Sequence, residues 1–130
     1  MARLPISGFD HLSLTCRKHA ATLRFYTTVL GFRIAARMPQ WGMTELISGD
    51  AALVLVNAAS KKGAWARSAR GNGENVHHFC LRLLRFDDAA LRRRLKRARI
   101  AIEEEHDEGP ERAVYIRDPE GNLVELRGKI

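Results

Sequence analysis

The chain is short of cysteine and of long apolar runs. Two cysteines, Cys16 and Cys80, cannot build a disulfide framework, and both are expected to be reduced and to pack as small hydrophobes. The longest apolar stretch, Ala51 to Val56, is far too short to cross a bilayer, and the residues from Met1 to Gly8 hold no apolar run of signal-peptide length. A cytoplasmic protein with no membrane partner is therefore expected. A hydrophobic share of 45% in 130 residues is enough to fill one core, so residues 1–130 are read as a single domain, or two small halves sharing that core.

The formal charge of +7 favours anionic partners, but much of it lies in Arg92-Arg93-Arg94-Leu95-Lys96-Arg97-Ala98-Arg99. Leu91, Leu95 and Ala98 form an apolar stripe through that stretch and no aromatic series interleaves it. It reads as the solvated face of an amphipathic helix rather than a nucleic-acid patch, although it can attract acidic substrates from a distance.

Phe9 to Cys16 alternates as a strand, and Lys18 to Leu30 carries apolar residues at helical spacing before Gly31, a left-handed cap. Phe32 to Met38, Met43 to Ser48 and Ala51 to Asn57 follow as β-type runs. After an aperiodic, glycine-bearing stretch, Val76 to Leu83 alternates again and Phe86 to Arg99 is helical. Ile100 to Glu105, Ala113 to Arg117 and Leu123 to Arg127 complete the pattern. The order β-α-β-β-β thus occurs twice, in an α+β fold of paired modules at about 7–58 and 76–128, with 59–75 a linker or lid.

Duplicated halves place equivalent strand positions around one space. His11-Leu12-Ser13-Leu14 matches His78-Phe79-Cys80-Leu81, and Leu53-Val54-Leu55-Val56 matches Leu123-Val124-Glu125-Leu126, making Leu55 the partner of Glu125. Alternation turns Leu12, Leu14, Phe79, Leu81, Val124 and Leu126 toward the helices and His11, Ser13, His78, Cys80, Leu123 and Glu125 away from them. A carboxylate on an otherwise apolar sheet face calls for a compensating cation or hydrogen bonds. Two imidazoles and one carboxylate are an open facial ligand set, which points to one divalent metal (Fe, Mn, Zn or Ni) with coordination positions left for water and substrate. His77 is the alternative ligand if the register slips by one, but alternation groups it with Phe79 and Leu81. His19, near a helix start, and His106, in an acidic loop, are expected to be solvated.

Asp10-His11-Leu12-Ser13-Leu14, Phe25 to Phe32, His78-Phe79-Cys80-Leu81 and the run Asp118-Pro119-Glu120-Gly121-Asn122-Leu123-Val124-Glu125-Leu126 resemble the vicinal-oxygen-chelate superfamily of glyoxalases, bleomycin-resistance proteins and extradiol dioxygenases. The resemblance spans nearly the whole chain, and its last motif is the most specific. It implies a half-barrel of paired βαβββ modules around a metal, often completed across a homodimer, with ligands at His11, His78 and Glu125. Leu55 stands where glyoxalase I enzymes typically supply a second glutamate, a departure from that activity. Tyr115 resembles a family tyrosine that points at substrate, and its phenol can hydrogen-bond a substrate oxygen. Ser13, Leu55 and Cys80 are expected beside a small-molecule substrate.

The leading expectation is an enzyme of dioxygenase or lyase type that chelates two neighbouring oxygens of its substrate on the metal. A binding protein of bleomycin-resistance type is the alternative, with Trp41 and Trp65 lining an apolar cleft. A fosfomycin-modifying thiol transferase ranks third, because Glu103 to Glu111 is acidic where an anion-binding loop would be basic. Cys80 is not expected to act as a nucleophile, since no activating cation or helix cap is evident.

Overall fold

The computed structural model describes residues 3, 7–67 and 76–130. Two four-stranded mixed sheets with few helices make up the α+β fold. In the first, β1 (Leu12–Cys16), β2 (Arg33–Met38), β3 (Met43–Ser48) and β4 (Ala51–Asn57) are ordered β1-β4-β3-β2. In the second, β5 (Phe79–Arg82), β6 (Glu104–Glu108), β7 (Glu111–Arg117) and β8 (Leu123–Lys129) repeat the order as β5-β8-β7-β6. Each sheet has one parallel pair, β1 with β4 and β5 with β8, and is otherwise antiparallel.

Helix α1 (His19–Arg24) runs into a widened π-turn at Phe25–Val29, where the Leu30 amide donates to the Phe25 carbonyl at 3.1 Å. Gly31 then closes the helix with φ +84°, a conformation that suits a residue without Cβ. Helix α2 (Asp88–Arg97) starts on Asp87, whose carboxylate accepts from the Ala90 amide at 3.0 Å, and buries Leu95 while its arginines face out.

One core joins both halves. Leu14, Leu53 and Leu55 from the first sheet, Val114, Ile116, Val124 and Leu126 from the second, Tyr26 and Leu95 from the helical segments, and Phe86 from the connection before α2 belong to the same buried cluster. A polar clamp reinforces it. The Glu120 carboxylate accepts from the Arg17 amide at 2.9 Å and from the Lys18 amide, capping the start of α1 from the other half of the chain. Buried Tyr26 donates its hydroxyl to Asp118 at 2.7 Å, and Asp118 also accepts from the Glu120 and Asn122 amides. The Asp118-to-Asn122 turn is therefore tied to α1 as well as joining β7 to β8.

Within the stretch expected to be a linker or lid, Ala64–Ala66 forms a single 3-10 turn, while residues 68–75 lie outside the described residues. No helix among the described residues is long and apolar enough to cross a membrane.

Candidate functional site

β8 sets the geometry of the site. Its residues Val124 and Leu126 pack into the common core, so alternation turns Glu125 to the opposite face, opposite Cys80 of β5 and Tyr115 of β7 in register. Glu125 is only 5% exposed. Its Oε1 accepts the Tyr115 hydroxyl at 2.8 Å and lies 3.2 Å from His78 Nε2. Arg127 Nη1 is 3.5 Å from Oε2, but Arg127 is committed to Glu108 and Glu111, the latter at 2.9 Å, so it partners Glu125 only weakly.

His78 stands just before β5, and its Nδ1 lies 2.8 Å from Nδ1 of His77. His11 stands just before β1, and its Nδ1 lies 2.7 Å from the Asp10 carboxylate. In both rings the neighbouring residue engages Nδ1, which leaves the Nε2 edge for another partner. His78, not His77, reaches Glu125.

His11 and His78 line a common cleft of about 430 Å³ between the edge strands β1 and β5, and Cys80 lines it too. His78 and Ser13 share an adjoining cleft of about 410 Å³. The structure thus brings His78, Glu125, Tyr115 and Cys80 together and leaves His11 and Ser13 across the gap. Among the described residues, no group of three His, Cys, Asp or Glu side chains is gathered to hold a metal ion.

One pair of donors, His78 and Glu125, nonetheless fits such an ion. Two donors at right angles around a metal with bonds of about 2.1 Å stand about 3 Å apart. The 3.2 Å between His78 Nε2 and Glu125 Oε1 matches that separation.

Leu55 does not belong to the site. β1 and β4 pair Leu14 with Leu55 and Ser13 with Val54, so Leu55 is fully buried in the helix-side core and Val54 holds the position equivalent to Glu125. The sequence comparison slid by one because Leu53 to Val56 are all apolar and all buried, leaving no alternation to fix the face. The position remains apolar. Its neighbour in register on β3 is Glu45, a half-buried carboxylate that the sequence comparison passed over.

His106 was expected in a loop but stands on β6, its ring edge-on to Tyr115 with centroids 5.5 Å apart and its Nε2 2.9 Å from Glu104. Tyr115 in turn meets the His78 ring at 5.3 Å. Two histidines therefore flank the phenol.

The hydrogen bond to Glu125, aided by burial and the same carboxylate's charge, pushes the Tyr115 phenol up to about 12. Burial raises the Tyr26 phenol as well, with Asp118 beside it adding to the effect. These are the only two tyrosines, so a spectrophotometric titration of the metal-free protein is expected to show no phenolate inflection near pH 10. A phenol whose folded pKa is raised stabilises the fold fully below the unfolded value of about 10, and that contribution is lost as pH rises toward the folded value. Phenolate should appear only well above pH 10, together with loss of structure. Burial and Glu125 also push the Cys80 thiol up to about 11, so it remains a thiol at neutral pH.

Paired β-α-β-β-β modules with a histidine before each first strand and a carboxylate on the last define a vicinal-oxygen-chelate type of protein. The sequence matches the Glyoxalase/Bleomycin resistance protein/Dioxygenase superfamily over residues 8–126, and the chain belongs to that family. Similar solved structures include a lactoylglutathione lyase from Agrobacterium tumefaciens (24% identity, 96% of each chain, TM-score 0.70). A glyoxalase/dioxygenase from Nostoc punctiforme aligns with TM-score 0.78 at 16% identity, over 100% of this chain and 97% of that one. The fosfomycin resistance protein FosX from Listeria monocytogenes aligns with TM-score 0.70 at 16% identity, over 96% of this chain and 95% of that one. At these identities the likenesses speak for the fold. No curated protein matches the sequence.

Proposed function

We propose that the protein is a divalent-metal-dependent enzyme that binds a small substrate through two neighbouring oxygens, with His78, Glu125 and His11 as the metal's protein ligands. The observation that carries this reading is the buried Glu125 carboxylate with His78 Nε2 3.2 Å away, the spacing of adjacent ligands. The bound metal would supply Lewis-acid stabilisation of negative charge on a substrate oxygen. His11 completes the set from a second copy of the chain, because within one chain it stands apart from the Glu125 cluster.

The protein's own groups do the rest. Tyr115 holds Glu125 through its hydroxyl and presents the same phenol to the substrate. His106, edge-on to that phenol and held by Glu104, is an acid–base group beside the site, which suits dioxygenase or lyase chemistry that must move a proton. Cys80 and Ser13 line the clefts on either side of His78. Val54, opposite Ser13, leaves the equivalent place in the first module without a carboxylate, which supports three protein ligands rather than the four of glyoxalase I.

The test is to strip the protein of metal, reload it with Fe, Mn, Zn or Ni, and assay catechols, methylglyoxal hemithioacetal and fosfomycin. Turnover of one class by loaded protein, absent from stripped protein, is the expected result. A wild type that takes up no metal would favour the binding-protein alternative. That reading has its own support: Trp41 and Trp65 are more than half exposed and are linked by the Trp65 indole N–H to the Trp41 carbonyl at 2.9 Å.

A further inference from the structure

Beyond Cys80, on the same sheet face as Glu125, the polar rows change sign. Phe79 and Leu81 pack against the core, so Cys80 and Arg82 share the open face of β5; Glu125, Arg127 and Lys129 share that of β8. Cys80 is opposite Glu125 in register and Arg82 is opposite Arg127, which makes the cationic row the next one along the sheet. Cys80, Arg82, Arg127 and Lys129, but not Glu125, border a cavity of about 600 Å³. Cys80 lines both this cavity and the cleft that contains His11 and His78, so the two spaces adjoin.

Two of the three cations around the cavity are not paired, since Arg127 takes up Glu108, Glu111 and, more weakly, Glu125. Glu111 also lines it, but its carboxylate is spent on Arg127 at 2.9 Å, while Arg82 and Lys129 have no acidic partner among the described residues. The floor is fixed, because the Leu83 and Phe86 amides donate to the carbonyls of Arg127 and Lys129, each at 2.7 Å. Two free cations beside a held guanidinium, in a cavity that adjoins the His11 and His78 cleft at Cys80, make a receptor for an anionic group.

We propose that this cavity holds an oxyanion of the substrate, a carboxylate or its phosphorus equivalent, and that the substrate is therefore an acid. Successive rows on one strand face are about 7 Å apart, so the acidic group is separated from the chelating oxygens by roughly that distance. Arg82 and Lys129 set specificity for charge. The proposal rests on the metal-chelate reading for the position of the other end of the substrate.

The two readings are separated by the choice of probes. With metal-loaded protein, calorimetry is expected to show 3,4-dihydroxyphenylacetate binding about tenfold more tightly than its neutral amide, the effect of one or two charge-assisted hydrogen bonds. In the double variant Arg82→Gln/Lys129→Gln the ratio of the two affinities should fall to near one, and Arg82→Lys should keep most of it. With metal-free protein, glutarate should shift the backbone amide resonances of positions 82 and 129 in the wild type and leave those of the same positions unmoved in the double variant. Equal binding of acid and amide, or a preference that survives the double substitution, overturns the proposal. If neither catechol binds more tightly with metal than without, the chelate reading fails; the cavity is then judged on glutarate alone, and unmoved resonances in the wild type overturn it.

Discussion

Exchange of Glu125 for glutamine is expected to weaken divalent-metal binding at least 100-fold, because losing an outer-shell partner alone costs roughly 10–100-fold and Glu125 is assigned as a direct ligand. Glutamine keeps the volume and can still accept from Tyr115, so the buried site should persist while its anionic ligand is lost. Tyr115→Phe removes only the partner that orients the carboxylate and should cost about tenfold. Competition against a chromophoric chelator measures both. Wild-type affinity in Glu125→Gln would show that the carboxylate serves the fold and not an ion.

The second large effect concerns where His11 acts. His11→Ala chains alone and Glu125→Ala chains alone should each bind almost no metal. When the two are denatured together and refolded, half of the dimers are hybrids and each hybrid has one intact site, so metal content should recover to about a quarter of the wild-type value in a two-fold dimer. No recovery would place all three ligands in one chain, with His11 moving toward Glu125 on binding. The Asp10 contact that holds His11 is almost fully exposed, so it restrains the ring only weakly.

Much of this arrangement was legible in the sequence because the first strand of each half and the last strand of the second carry strict alternation, the latter behind a strong turn. Leu12 and Leu14 against His11 and Ser13, and Val124 and Leu126 against Glu125, sort into a core face and an open face by period alone. Asp118-Pro119-Glu120-Gly121-Asn122 announces its turn, and the structure adds a role that no local pattern carries, the capping of α1 across the two halves.

What the sequence hid were features settled by strand pairing. β4 is buried on both faces, so only its register with β1 shows that Val54 and not Leu55 faces the open side. β6 is an acidic run with poor intrinsic strand propensity, and its pairing with β7 is what lifts His106 out of a loop and beside Tyr115. The π-turn at Phe25–Val29 lies inside a stretch whose apolar spacing reads as ordinary helix.

The most direct measurement is anomalous diffraction from crystals grown with Mn(II) and recorded at the manganese edge. The account predicts one peak per site, within about 2.3 Å of His78 Nε2, a Glu125 carboxylate oxygen and an imidazole nitrogen of His11 from a second copy of the chain. A peak that leaves out Glu125, or no peak near His78 at saturating metal, would contradict it.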